Sequence, residues 1–120
     1  MENKSVLGAW GEQRAAAYLK RKWYRLVAKN FRVRGGEIDL IAENRKYLVF
    51  VEVKTRQNAD FAEAREFVDF HKQERIRMTA SLWLANYETN KQPRFDIVEV
   101  YAPEGINTRK PLIRHWENAF

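Results

Sequence analysis

A chain of 120 residues, 45% hydrophobic and 13% aromatic, can build one domain with a real core and is too apolar for a disordered segment. It nowhere holds the ~20 consecutive apolar residues that cross a bilayer, its start lacks a signal peptide's apolar block, and without cysteine it forms no disulfide or thiolate metal site. The net charge of +6 arises within residues 1–60, the second half being neutral, so the expectation is a single cytoplasmic domain over residues 1–120 with a basic face and no membrane partner.

Residues 8–23 have the strong helix formers Ala15, Ala16, Ala17 and Leu19. Gly8, Glu12, Ala15, Ala16, Leu19 and Trp23 form one stripe at helical spacing, which would turn Glu12 inward, where a carboxylate needs a cation partner. Leu7, Trp10, Ala17 and Tyr18 form a competing inward stripe, and the pattern leaves both open. From Glu12 to Glu37 no acid intervenes, while Lys20, Arg21, Lys22, Arg25, Lys29, Arg32 and Arg34 accumulate.

Strands are expected over 26–33, 38–42 and 47–53, the first closed by Gly35-Gly36 and the other two joined by a turn at Asn44-Arg45. Residues 57–65 read as a polar loop. Residues 67–87 read as a helix whose core stripe is Ile76, Ala80, Trp83, Leu84 and Tyr87. Pro93 introduces an alternating strand over 94–101, and 111–116 is a candidate edge strand. The order αβββαβ(β) describes an α/β domain: a mixed sheet of four to five strands flanked by helices, with a parallel crossover between the third and fourth strands.

The second and third strands carry charges among apolar residues. Alternation places Glu37 and Asp39 on one face, and Glu52 and Lys54 on one face. A two-residue turn pairs Glu43 with Lys46 and Asp39 with Phe50, bringing Glu37 opposite Glu52. Carboxylates so close repel unless a proton or cation lies between them, and Mg²⁺ or Mn²⁺ suits their oxygens. Lys54 is placed to orient or deprotonate a water, or to stabilise charge on a phosphorane. Alone, Glu52 and Lys54 read more simply as a strand-end ion pair, and Glu37 and Asp39 as a polar pair beside the Gly35-Gly36 turn; the combination in one hairpin favours a site.

Asp39, a gap of twelve residues, then Glu52-Val53-Lys54 resembles the PD-(D/E)XK nuclease motif. The longer set Gly11-Glu12, Asn30, Gly36-Glu37-Ile38-Asp39-Leu40-Ile41, Phe50-Val51-Glu52-Val53-Lys54-Thr55-Arg56 and Arg94-Phe95-Asp96 resembles the YraN family. These are small bacterial proteins described as endonuclease-like and related to archaeal Holliday-junction resolvases. The resemblance implies a restriction-endonuclease-like fold and a Mg²⁺- or Mn²⁺-dependent endonuclease. Asp39, Glu52 and the Val53 carbonyl would hold the metal, with Lys54 catalytic, Glu12 a further acidic group and Glu37 a helper. The motif's leading proline is absent, Ile38 preceding Asp39.

Lys20, Lys22, Arg25, Lys29, Arg32, Arg34, Arg56 and Lys72, with Gln73 as a polar helix residue near the site, are expected to contact DNA, branched DNA being a candidate substrate. A homodimer would suit its two equivalent strands. The alternatives are a nuclease fold that binds nucleic acid without cutting, and an interaction protein whose acids are ion-paired scaffolding.

Overall fold

The structure, a computed structural model, describes residues 5–58 and 68–120. Most of the predicted loop 57–65 and the predicted helix start at Phe67 lie outside the described residues. The first helix, α1 (Val6–Arg21), begins where the Ser5 side chain accepts the Gly8 N–H at 2.9 Å. It buries Gly11, Glu12, Ala15, Ala16 and Leu19, so the stripe containing Glu12 is the inward one.

Trp23, predicted to continue that stripe, does not. The Trp23 N–H reaches the Lys20 carbonyl at 3.1 Å, and the Tyr24 N–H reaches the Leu19 carbonyl at 3.0 Å. This is a Schellman cap with Trp23 at the left-handed position, φ +70, that glycine usually takes. A residue with a Cβ is disfavoured there by ~1–2 kcal/mol. The cap returns Tyr24 to the core beside Leu19 and leaves Trp23 90% exposed.

Five strands follow: β1 (Arg25–Val33), β2 (Gly36–Glu43), β3 (Tyr47–Arg56), β4 (Gln92–Tyr101) and β5 (Leu112–Trp116), with α2 (Phe70–Leu84) between β3 and β4. Their order in the sheet is their order in the chain. The β3–β4 pair is parallel and the other three pairs are antiparallel, giving the mixed sheet that the sequence predicts. α1 packs on Leu40, Ala42, Val49, Val51, Val98 and Val100. Ile76 and Ala80 of α2 pack on the alternate residues Ile41, Leu48, Phe50 and Ile97. Trp83, Leu84 and Tyr87 border that second cluster as the predicted stripe requires.

The hairpin register differs from the predicted one by two residues. Ile41 pairs with Phe50 and Glu43 with Leu48, so Asp39 does not face Phe50 and Glu43 does not face Lys46. The cause is Asn44, whose side-chain oxygen accepts the N–H groups of Lys46 (3.0 Å) and Tyr47 (2.8 Å). That side-chain turn lengthens the loop. A shift of two preserves the faces of β3.

Candidate functional site

Strand β1 contains a non-glycine residue in the left-handed region, Asn30 at φ +51. Asparagine tolerates that conformation better than most side chains. Pairing runs Lys29 with Leu40, then Phe31 with Ile38, with Asn30 between the two partners. On β2 the alternation breaks at the same level: Ile38 and Ile41 both pack in the α2 cluster, whereas Leu40 packs under α1. Asn30 carries the signal of that break, a turn-forming residue within a strand. Glu37 and Asp39 nonetheless border the same depressions, as the sequence leads one to expect.

The β2–β3 pairing ends at Leu40 and Val51. Beyond it the Val53 N–H donates to Asp39 Oδ2 at 2.9 Å. A side chain thus serves a donor that a ladder carbonyl would otherwise serve. The parted strands border a cleft of about 340 Å³, lined by Glu12 of α1, Glu37 and Asp39 of β2, Glu52 to Thr55 of β3, and Lys72 of α2. A second depression of about 300 Å³ shares Glu37, Asp39, Glu52 and Lys72 and extends to Arg75. A third, of about 450 Å³, shares Glu12 and adds Gln13, Lys29, Asn30 and Arg32.

Of the predicted acidic residues, Glu12 and Asp39 are buried at 8% and 5% exposure, which places carboxylates inside rather than on a solvated rim. Glu52 Oε1 lies 2.7 Å from Lys72 Nζ. Glu37 pairs with Arg32 across the β1–β2 ladder rather than facing Glu52. Lys54 lines the cleft. Among the described residues, no group of three or more His, Asp or Glu side chains converges as a ready-made metal site.

The predicted basic residues divide. Lys29, Arg32 and Lys72 border the depressions. Arg56 pairs with the buried Glu99 at 3.1 Å. Lys20 and Lys22 are exposed at the C-terminal end of α1, and Arg34 is exposed at the β1–β2 turn. Arg25 is held at the opposite end of β2 by Glu43. Burial pushes the Glu43 carboxyl up, but hydrogen bonds from Arg25 and Lys91 outweigh it and hold the group below the usual carboxylate range. Gln73 donates to the Val68 carbonyl at 2.9 Å, steadying the start of α2. Sequence reading missed the Lys72–Glu52 contact, because nothing along the chain ties α2 to one particular residue of β3.

A profile of the uncharacterised protein family UPF0102 matches residues 11–100, from within α1 through most of β4. The chain belongs to the UPF0102 family. A UPF0102 protein of Caldanaerobacter subterraneus subsp. tengcongensis is 47% identical over 120 residues, covering 98% of this chain and 97% of that one. A relative from Symbiobacterium thermophilum is 48% identical over 115 residues, 95% of each chain. One from Nocardia farcinica is 43% identical over 119 residues, 98% of this chain and 91% of that one. This is the YraN family of the sequence resemblance.

In this UPF0102 chain both helices meet the strands beside the cleft at points that leave no room for a side chain. A Cβ on Gly11 would lie 1.8 Å from Thr55 Oγ1 and 2.9 Å from Thr55 Cβ. A Cβ on Gly36 would lie 2.0 Å from Thr79 Oγ1 and 3.2 Å from the Arg75 carbonyl oxygen. Gly11→Ala must therefore push α1 off β3, and Glu12 moves with it. The expected cost is ~1–3 kcal/mol, read as a lower urea midpoint. A midpoint equal to that of the unmodified chain would refute the close approach.

Proposed function

We propose that this chain is a divalent-metal-dependent endonuclease that hydrolyses DNA phosphodiesters, with branched or otherwise structured DNA as its substrate. The observation that carries this reading is the cleft where Asp39, Glu52 and Lys54 meet beside Glu12, in the order and spacing of the PD-(D/E)XK motif. A restriction-endonuclease-like fold is part of the proposal: the motif's acid is on β2, its Glu-x-Lys on β3, and α2 leads to the parallel β4.

The donor chemistry fits Mg²⁺ or Mn²⁺. Asp39, Glu52 and the Val53 carbonyl offer hard oxygens, and Mg²⁺ typically takes only one or two carboxylates and keeps several waters. Bound there, the cation would polarise the phosphate and lower the pKa of the attacking water. The residues themselves do the positioning. The Val53 N–H fixes the Asp39 carboxylate through Oδ2. Lys54 lines the cleft, and its ammonium is suited to charge developing on phosphate oxygens. Lys72 is the present partner of Glu52 and would compete with a metal for that carboxylate. Lys29 and Arg32 on one side and Lys72 and Arg75 on the other would hold backbone phosphates without reading sequence. A C₂ dimer would offer two such clefts to the paired strands of a junction.

The test is cleavage of junction, flap, single-stranded and duplex DNA with Mg²⁺ or Mn²⁺ against EDTA, beside binding titrations in rising salt. Cation-dependent cleavage is expected, together with a binding slope of about 0.9 log units per phosphate contact. Absence of product on every substrate with either cation would refute the nuclease reading. A second reading is a module that binds DNA without cutting it. The Lys72–Glu52 pair favours it, since a protein cation already occupies one motif carboxylate. Salt-sensitive binding with no cleavage would select it.

A further inference from the structure

We infer that Trp23 is a stacking platform for an unpaired nucleobase, set along α1 from the cleft; the inference rests on the nucleic-acid reading above and sharpens its substrate class. Trp23 occupies the one position of a Schellman cap for which glycine is best suited, at φ +70. It does so without a place in the core, being 90% exposed while Tyr24 packs inward. The other three tryptophans, Trp10, Trp83 and Trp116, all pack against a core cluster. Neither backbone preference nor burial accounts for an indole here.

The surroundings indicate what the indole meets. Lys20, Arg21 and Lys22 precede it directly and are exposed, and no acid occurs in the sequence between Glu12 and Glu37. An exposed apolar ring that follows a run of exposed cations suits a polyanion that also presents flat π faces, the combination that single-stranded nucleic acids offer. Paired bases hide those faces in the stack, so the occupant is an unpaired base. Trp23 lies eleven positions from Glu12. The helix carries nine of those positions, ~14 Å along its axis, or about four base-pair steps of duplex. A strand cut in the cleft would thus have its unpaired segment a few nucleotides from the scissile bond.

The test uses the full chain and two DNAs of equal length and charge, one a perfect duplex and one carrying an unpaired run. Trp23→Gly should lower affinity for the second by about ten-fold and leave duplex binding unchanged. The same variant should melt at a higher temperature, because glycine relieves the backbone at the cap. Trp23→Phe should keep part of the preference. Equal loss on both DNAs, no loss on either, or a lower melting temperature for Trp23→Gly would overturn the inference. So would a Trp23-dependent association with anionic lipid vesicles that leaves DNA binding untouched. Failure of the unmodified chain to bind either DNA at low salt would remove the nucleic-acid reading as well; binding that ignores Trp23 would remove only this one.

Discussion

Asp96→Asn is expected to lower the melting temperature by about 10–20 °C, as removing one member of a buried charge pair costs ~3–5 kcal/mol. Asp96 is fully buried in β4, and its oxygens take bonds from four directions. Arg94 Nε and Nη2 reach its two oxygens at 2.9 and 2.8 Å, His115 Nε2 lies 2.6 Å from Oδ2, and the Asn118 N–H donates to Oδ1 at 3.0 Å. Arg94 is 7% exposed and also donates to the Tyr24 hydroxyl at 2.6 Å, so it cannot retreat to water once its partner is neutral. Truncating Arg94 as well should therefore cost less than the sum of the two single changes.

This network also makes the fold sensitive to acid. Burial alone would raise the Asp96 carboxyl, but hydrogen bonds from His115, Arg94 and the Asn118 N–H outweigh it and hold the group below its ordinary range. A depressed folded-state pKa gives stability that is fully present above the unfolded value, ~3.9, and is lost as pH falls below it. The acid limb of a melting-temperature profile should be steep in the unmodified chain and flatter in Asp96→Asn. Parallel profiles would refute the assignment.

The largest effect on activity is expected at Lys54. If the proposed nuclease reading holds, Lys54→Met should reduce cleavage by about 100-fold or more, the scale seen when a preorganised charge-stabilising donor is removed. It should leave metal binding in place, because Lys54 is not among the proposed ligands. Asp39→Asn should lose both. Saturating Mn²⁺ at about 100 times its dissociation constant stabilises a folded chain by about 2.7 kcal/mol, a readable melting shift. That shift is expected in the unmodified chain and in Lys54→Met, and should vanish in Asp39→Asn. A shift that persists without the Asp39 carboxylate would remove Asp39 from the metal site; equal cleavage by Lys54→Met would remove the lysine from the chemistry.

The elements were legible because their periods are clean. Val49, Val51, Val98 and Val100 under α1, and Ile76 and Ala80 on the inner face of α2, lie where alternation and helical spacing put them. The hairpin register was harder to read, since Asn44 acts through a side-chain turn that residue preference alone does not measure. Trp23 misled for a related reason. Its hydrophobicity extends the α1 stripe on paper, yet the chain ends the helix two residues earlier and gives the core position to Tyr24. In the site, Asp39 and Glu52 to Lys54 were visible as charges among apolar neighbours. The break in alternation beside Asp39 and the reach of Lys72 to Glu52 depend on how separate elements meet, which no local pattern encodes.

Gly11 against Thr55 and Gly36 against Thr79 have a consequence for how this cleft can vary. Both helices already touch the strands beside it where only hydrogen fits, so the jaws stand near their narrowest setting. Every substitution at either glycine adds bulk and can only wedge a helix outward. Sequence drift at these two positions thus acts in one direction, opening the acidic cleft and never tightening it.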